Sequence, residues 1–361
     1  MEYQLKTRQV CLFFIAFLPV TKFFMLPSVI AETSKEDMWI SALLNIILDL
    51  ITIMVILRCC KKHNTTYFNL LSETFRKVTA KIIFGVYFVY FLLKSILPII
   101  EQKDYIMLTL YTSMPSIFYF IPFFIALFFN CTKRLRIVGR TSDIMWLVTL
   151  SGFTILMFLS FSNVDLSALL PTFANGKKIF QASYYSLNWF GDGIYLLFFM
   201  GEFKYEKKTF IKVISSFLIG GFMVVLFMII FYCTFTSIAF RQQFALTEIS
   251  KYTTVINSTG RFDYLGILLI LFSNIFSLTV PVYFASRTLN TIFEFKKTYI
   301  SPLIVIALLM IPVIILGEYT SSIEYILVTY VSIFFLLAGN ILPILTIFIK
   351  KRRRANENLK A

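Results

Sequence analysis

The sequence predicts an all-α membrane protein of about ten transmembrane helices, arranged as two inverted sets of five with the first helix of each set broken. Three observations predict it. The 361 residues are 58% hydrophobic, with a mean hydropathy of +0.80 and 42 phenylalanines, well above the apolar share of an ordinary soluble domain. The apolar runs are long enough to cross a hydrocarbon core of about 30 Å, and only short polar segments separate them. Two of the runs are interrupted, one by prolines and a lysine, the other by glycines and an aspartate.

The spans fall at about 9–31, 38–58, 80–100, 116–131, 143–161, 184–200, 211–236, 262–286, 299–317 and 323–349. Their orientation follows from where the lysines and arginines lie, because cytoplasmic loops carry an excess of both. With the N-terminus inside, the inner segments hold 25 of the 34 cations and the outer segments 7, and Lys22 and Lys94, within helices, complete the count. Both termini are therefore expected in the cytoplasm. An odd number of helices per set inverts the second set, giving one repeat at about 9–161, another at about 184–349, and a basic tail at 350–361.

The net charge of +15 does not point to nucleic acid, because the cations sit between apolar spans rather than on a solvated face. Lys6 and Arg8 precede an apolar run that resembles a signal peptide. That run carries Pro19, Lys22 and Pro27 and lacks a small-x-small cleavage site, so it reads as the first helix. Cys11, Cys59, Cys60, Cys131 and Cys233 form no CxxC pair, and His63 lies in a basic loop. No metal site, cofactor or disulfide framework is expected. Walker A, Ser/His/Asp and HExxH patterns are missing, so no enzyme reading and no catalytic residue is assigned.

The candidate residues are those that an apolar span carries at a cost. A lysine at mid-helix costs about 2.5–3.5 kcal/mol on insertion scales. Lys22 therefore meets a ligand carboxylate or a carbonyl of helix 6, or forms a salt bridge that fixes two helices. Thr21 shares its break. Asp192 sits between Gly191 and Gly193, which free backbone groups for a ligand; it contacts a ligand or ion, pairs with Lys22, or faces water. Asn188 and Trp189 precede this break and line the same cavity, unless the Trp anchors at an interface. Asp49, alone in an apolar run, is paired in the structure or couples transport to a proton or ion, as Asp192 also can. Lys94 is expected to snorkel outward. Ser273, Asn274 and Ser277 either join the cavity or mediate helix packing, and Glu318 and Glu324 are expected in solvent.

The order of motifs resembles that of the B subunit of spore nutrient germinant receptors (GerAB-like proteins), a branch of the amino acid–polyamine–organocation transporter superfamily. The most specific stretch is NVDLSALLPTFANGKKIFQASYYSLNWFGDGIYLLFFMGE at 163–202, with its D-x-x-x-L-x-P at Asp165 to Pro171 and Phe190-Gly191-Asp192 where the family has F-G-E. Leu26-Pro27, Asp37-Met38-Trp39-Ile40, Tyr105 to Pro115, Arg136 to Ile144 and Gly260-Arg261-Phe262-Asp263 agree in order and spacing. Val20-Thr21-Lys22 departs from the family's glycine-containing break. The resemblance implies a leucine-transporter-like fold, with a small nutrient such as an L-amino acid bound at the breaks of helices 1 and 6. It also implies A- and C-type partner subunits in the spore inner membrane. A proton- or sodium-coupled amino acid or amine permease is the alternative.

Overall fold

The computed structural model describes residues 5–109, 117–161, 164–174, 176–251, 263–311 and 319–358. Residues 110–115 and 260–262 of two motifs, and Glu318, lie outside them. Among the described residues the architecture is helical, with one isolated bridge between Leu5 and Phe203. Six stretches of the described residues are long and apolar enough to cross a membrane, namely Leu26–Lys62, Lys77–Ile106, Arg136–Phe158, Thr209–Arg241, Leu265–Phe293 and Ser321–Lys350. Ile121–Cys131 and Ile300–Met310 are shorter apolar helices.

The first helix breaks where its prolines require it. Helix α1 (Thr7–Phe17) stops two residues before Pro19, a tight turn covers Val20–Lys22, and α2 (Leu26–Ser34) begins with Pro27 in its first turn. Proline ends a helix through its missing N–H and ring clash, yet is tolerated in a first turn, where no intrahelical donor is needed. The chain continues through α3 (Met38–Lys62), the short α4 (Tyr67–Thr74), α5 (Lys77–Thr109), α6 (Ile117–Cys131) and α7 (Arg136–Ser160).

The second interruption separates α8 (Gly176–Tyr185) from α9 (Ile194–Phe199), with Ser186 to Gly193 in turns. The span expected at 184–200 is thus two short helices, the first starting eight residues earlier. Helices α10 (Thr209–Phe235), α11 (Ala245–Lys251), α12 (Asp263–Phe293) and α13 (Ile300–Met310) follow. The last rod comprises α14 (Thr320–Ile326), α15 (Ser332–Leu336) and α16 (Leu342–Asn358), joined by π-helical turns at Leu327–Val331 and Leu337–Ile341. A π turn rotates the following residues out of the 3.6 period and is frequent at functional sites.

Small residues and rings pack the broken helices into this frame. A Cβ on Gly220 would lie 2.9 Å from the Phe14 carbonyl, and one on Gly221 3.0 Å from Ile46, so α10 wedges between α1 and α3. Phe13 meets Tyr195 with centroids 5.7 Å apart, Phe91 meets Phe198 at 5.0 Å and Phe199 meets Phe284 at 5.8 Å. Such pairs add about 0.5–1.5 kcal/mol each beyond their burial and hold α1 and α9 against α5 and α12.

The polar ends also sort by side. Leu5 donates its N–H to Glu202 O at 3.0 Å, Arg8 pairs with Asp143, Arg287 with Glu202, and Lys77 and Lys81 with Glu294. These contacts gather segments that the charge count put on one side of the membrane. At the other end Asp37 accepts the Phe173 N–H at 2.8 Å, and Asp165 donates its N–H to Cys233 O at 3.2 Å. The five cysteines are buried and unpaired as disulfides.

Candidate functional site at the two helix breaks

The turn at Val20–Lys22 leaves backbone carbonyls without helical partners, and the chain fills that deficit from two directions. From outside, Ala245 and Leu246 at the start of α11 donate their N–H groups to Phe24 O and Phe23 O, both at 3.1 Å. From within, the Lys22 ammonium folds back to donate to Leu18 O at 2.8 Å. The second break is held similarly. Tyr90 of α5 donates its hydroxyl to Gly191 O at 3.1 Å, and Lys94, one turn on, donates to Phe190 O. Gly191 has φ +85°, and a Cβ there would lie 2.5 Å from the Tyr90 oxygen, so both the conformation and the space require glycine.

The two breaks are joined by charge. Lys22 Nζ lies 2.6 Å from Asp192 Oδ2, with both side chains at most 1% exposed, and Lys94 Nζ approaches Asp192 Oδ1 at 3.3 Å. The Phe190 ring lies beneath the Lys22 ammonium, 5.1 Å from centroid to nitrogen. Asp49, on α3, completes the set. Its carboxylate accepts the N–H of Gly191 at 2.9 Å, that of Asp192 at 3.1 Å, and the Asn340 amide at 3.0 Å. Asn340, which projects from the second π turn, also donates to Thr52 at 3.0 Å. Two lysines and two aspartates thus share one buried centre. Opposite charges offset each other's desolvation there only because the backbone of both breaks completes the hydrogen bonding.

A second polar layer lies toward the end of α5 that reaches Thr109. Glu101 accepts the Trp189 Nε1–H at 2.7 Å and also bonds the Met25 backbone at the start of α2, so one buried carboxylate touches both breaks. Its neighbour Gln102 accepts from the Asn274 amide at 2.5 Å. Ser273 instead bonds Thr149 on α7 at 2.8 Å, beside the Ala16 carbonyl. Asn188 is buried, and neither atom of its amide has a hydrogen-bond partner among the described residues.

The structure therefore brings Lys22, Gly191 and Asp192 together with Asp49, and places Thr21, buried, and Gly193 beside them. Trp189 and Asn274 join the Glu101–Gln102 layer, while Ser273 makes its hydrogen bond between α7 and α12. Lys94 does not snorkel: it is 6% exposed and turned inward onto Phe190 and Asp192. Glu324 is half-buried rather than solvated. Sequence reasoning missed Tyr90, Glu101, Gln102 and Asn340. Glu101 and Gln102 were hidden because the charges of 101–104 read as a loop, whereas α5 continues through them.

Interrupted helices held together by a buried charged centre, inside a frame of apolar rods, define a membrane protein of transporter fold. The fold is similar to solved structures of the Eremococcus coleocola manganese transporter. A histidine-to-alanine mutant of that transporter matches with a TM-score of 0.58 and 12% identity over 94% of this chain and 78% of that one. Its complex with an aromatic bis-isothiourea substituted compound matches with a TM-score of 0.57 at 13% identity and the same coverage. No curated protein matches the sequence. The spore germination protein family matches residues 4–322, and the chain belongs to that family.

Proposed function

We propose that this chain is a B-type subunit of a nutrient germinant receptor, acting in the spore inner membrane with both termini cytoplasmic. It binds a small nutrient, an L-amino acid, at the two breaks and passes the resulting conformational bias to A- and C-type subunits. Its helices form two inverted repeats, about 9–161 and 184–349, that move about this centre. The observation that carries the reading is the Lys22–Asp192 pair, which joins one break to the other with no solvent around it.

An amino acid carries the same two charges. Its carboxylate replaces Asp192 at the ammonium of Lys22, and its ammonium replaces Lys22 at Asp192, so ligand entry exchanges one ion pair for two. The unpartnered Asn188 amide supplies a further polar contact. A ligand shifts the equilibrium only through its differential affinity for the closed and exchanged states, and the closed pair sets that difference. The neighbouring fold's manganese is a poor cargo for this centre, because Lys22 and Lys94 already direct ammonium groups at the Asp192 carboxylate.

The test is the thermal unfolding midpoint of detergent-purified protein against L-amino acids, nucleosides and sugars, with Asp192→Asn alongside. A shift with amino acids that disappears in the variant is expected. A shift of equal size in both, or one confined to sugars or nucleosides, overturns the reading. The second reading, a proton- or sodium-coupled permease, draws on Asp49 beside Asp192 in a transporter fold; uptake into liposomes driven by an imposed gradient would establish it in place of a sensor.

A further inference from the structure

The end of the bundle that gathers Leu5, Glu202 and Glu294 carries many cations, and some of those described there face a carboxylate. Arg8 has Asp143, Lys77 and Lys81 share Glu294, and Arg287 has Glu202. The last turn of α3 gathers three others beside a cavity. Arg58, Lys61 and Lys62 are exposed and form no salt bridge among the described residues. They line a cavity of about 410 Å³ between α3 and α16. Its opposite wall is Ile347 and Phe348, and Lys350, itself paired with Glu73 at 2.9 Å, closes the rim.

We infer that this cavity is a binding site for one anionic phospholipid of the adjacent leaflet. Unpaired cations at the mouth offer charge-assisted hydrogen bonds to a phosphodiester. In the same cavity Phe348 is 55% exposed and offers an acyl chain an apolar surface beside the cations. A free phosphate would use the first feature only; a lipid uses both. Basic pockets between transmembrane helices at the membrane surface have this character. The site lies on α3 and α16, the two helices that supply Asp49 and, through the preceding π turn, Asn340, so lipid occupancy braces the frame behind the charged centre.

The test titrates the detergent-purified full chain with dioleoyl phosphatidylglycerol, dioleoyl phosphatidylcholine and glycerol phosphate, reading the unfolding midpoint and lipid stoichiometry by native mass spectrometry. Phosphatidylglycerol is expected to raise the midpoint and saturate at one tightly held copy, with the other two probes inactive. Arg58→Gln/Lys61→Gln/Lys62→Gln is expected to weaken that binding about tenfold or more, since each cation near the surface contributes on the order of 1 kcal/mol. The charge-keeping Lys61→Arg/Lys62→Arg should retain it. Three outcomes each overturn the proposal: an equal response to phosphatidylcholine, an equal response to glycerol phosphate, or an equal loss in Lys133→Gln/Arg134→Gln/Arg136→Gln, which removes the same charge elsewhere.

Discussion

The Lys22–Asp192 pair at the breaks and the Arg8–Asp143 pair at the end of the bundle use the same chemistry in opposite surroundings. The first is dry, with both side chains at most 1% exposed; the second has its arginine 70% exposed. Exposed pairs contribute about 0.2–1 kcal/mol, while stripping one partner from a buried pair costs about 3–5 kcal/mol because the survivor is left uncompensated. The difference teaches that the centre is strongly held against single changes, whereas the surface pair is not.

Asp192→Ala breaks the comparison most severely. It strands Lys22 and Lys94 together and is expected to lower stability by about 3–5 kcal/mol in a detergent unfolding assay. Lys22→Met/Asp192→Asn removes the opposed charges jointly and should return to within about 1–2 kcal/mol of the parent, without the thermal shift proposed for amino acids. A double variant as unstable as the single one would mean that the charges are not what holds the breaks.

Asp49→Asn comes next. Three N–H donors converge on the carboxylate, and an amide leaves at least one of them facing another donor, for a loss of about 2–3 kcal/mol by the same assay. Gly191→Ala should cost about 1–2 kcal/mol for backbone conformation alone, with the Tyr90 overlap added. Tyr90→Phe in that background should recover only the overlap, which separates the two causes. Arg8→Ala, at the exposed end, should change stability by less than about 1 kcal/mol.

The smallest effect belongs to Glu294, where Lys81 and Lys77 hold the carboxyl below the usual range. A lowered carboxylate favours the fold above its unfolded value and loses that contribution as pH falls through the folded one. Full exposure makes the gain marginal, so the midpoint of Glu294→Gln should track the parent across this window.

The breaks themselves were legible in the sequence. Pro19, Pro27 and Gly191-Asp192-Gly193 interrupt apolar runs, and Lys22, Asp49 and Asp192 stand out because hydrocarbon tolerates no unpaired charge. Other parts required coordinates. Lys94 lies near a predicted helix end, and only its contacts with Phe190 O and Asp192 show that its side chain points inward. Asn340 has an unremarkable local sequence; the π turn that aims it at Asp49 shifts the helical period, which hydropathy does not register. Glu101 and Gln102 were obscured because burial and pairing, rather than composition, keep α5 helical beyond residue 100.

The hydrogen bonds from Ala245 and Leu246 to the Phe24 and Phe23 carbonyls have a kinetic consequence. The first turn of α11 is stitched to the peptide units just beyond Lys22, so that turn and the break cannot separate without exposing two amides to water together. Their deuterium uptake is therefore a clock for opening at the break. Slow, matched exchange at residues 245 and 246, accelerated in concert by Lys22→Ala, would show that motion at the centre reaches α11 as a single backbone step.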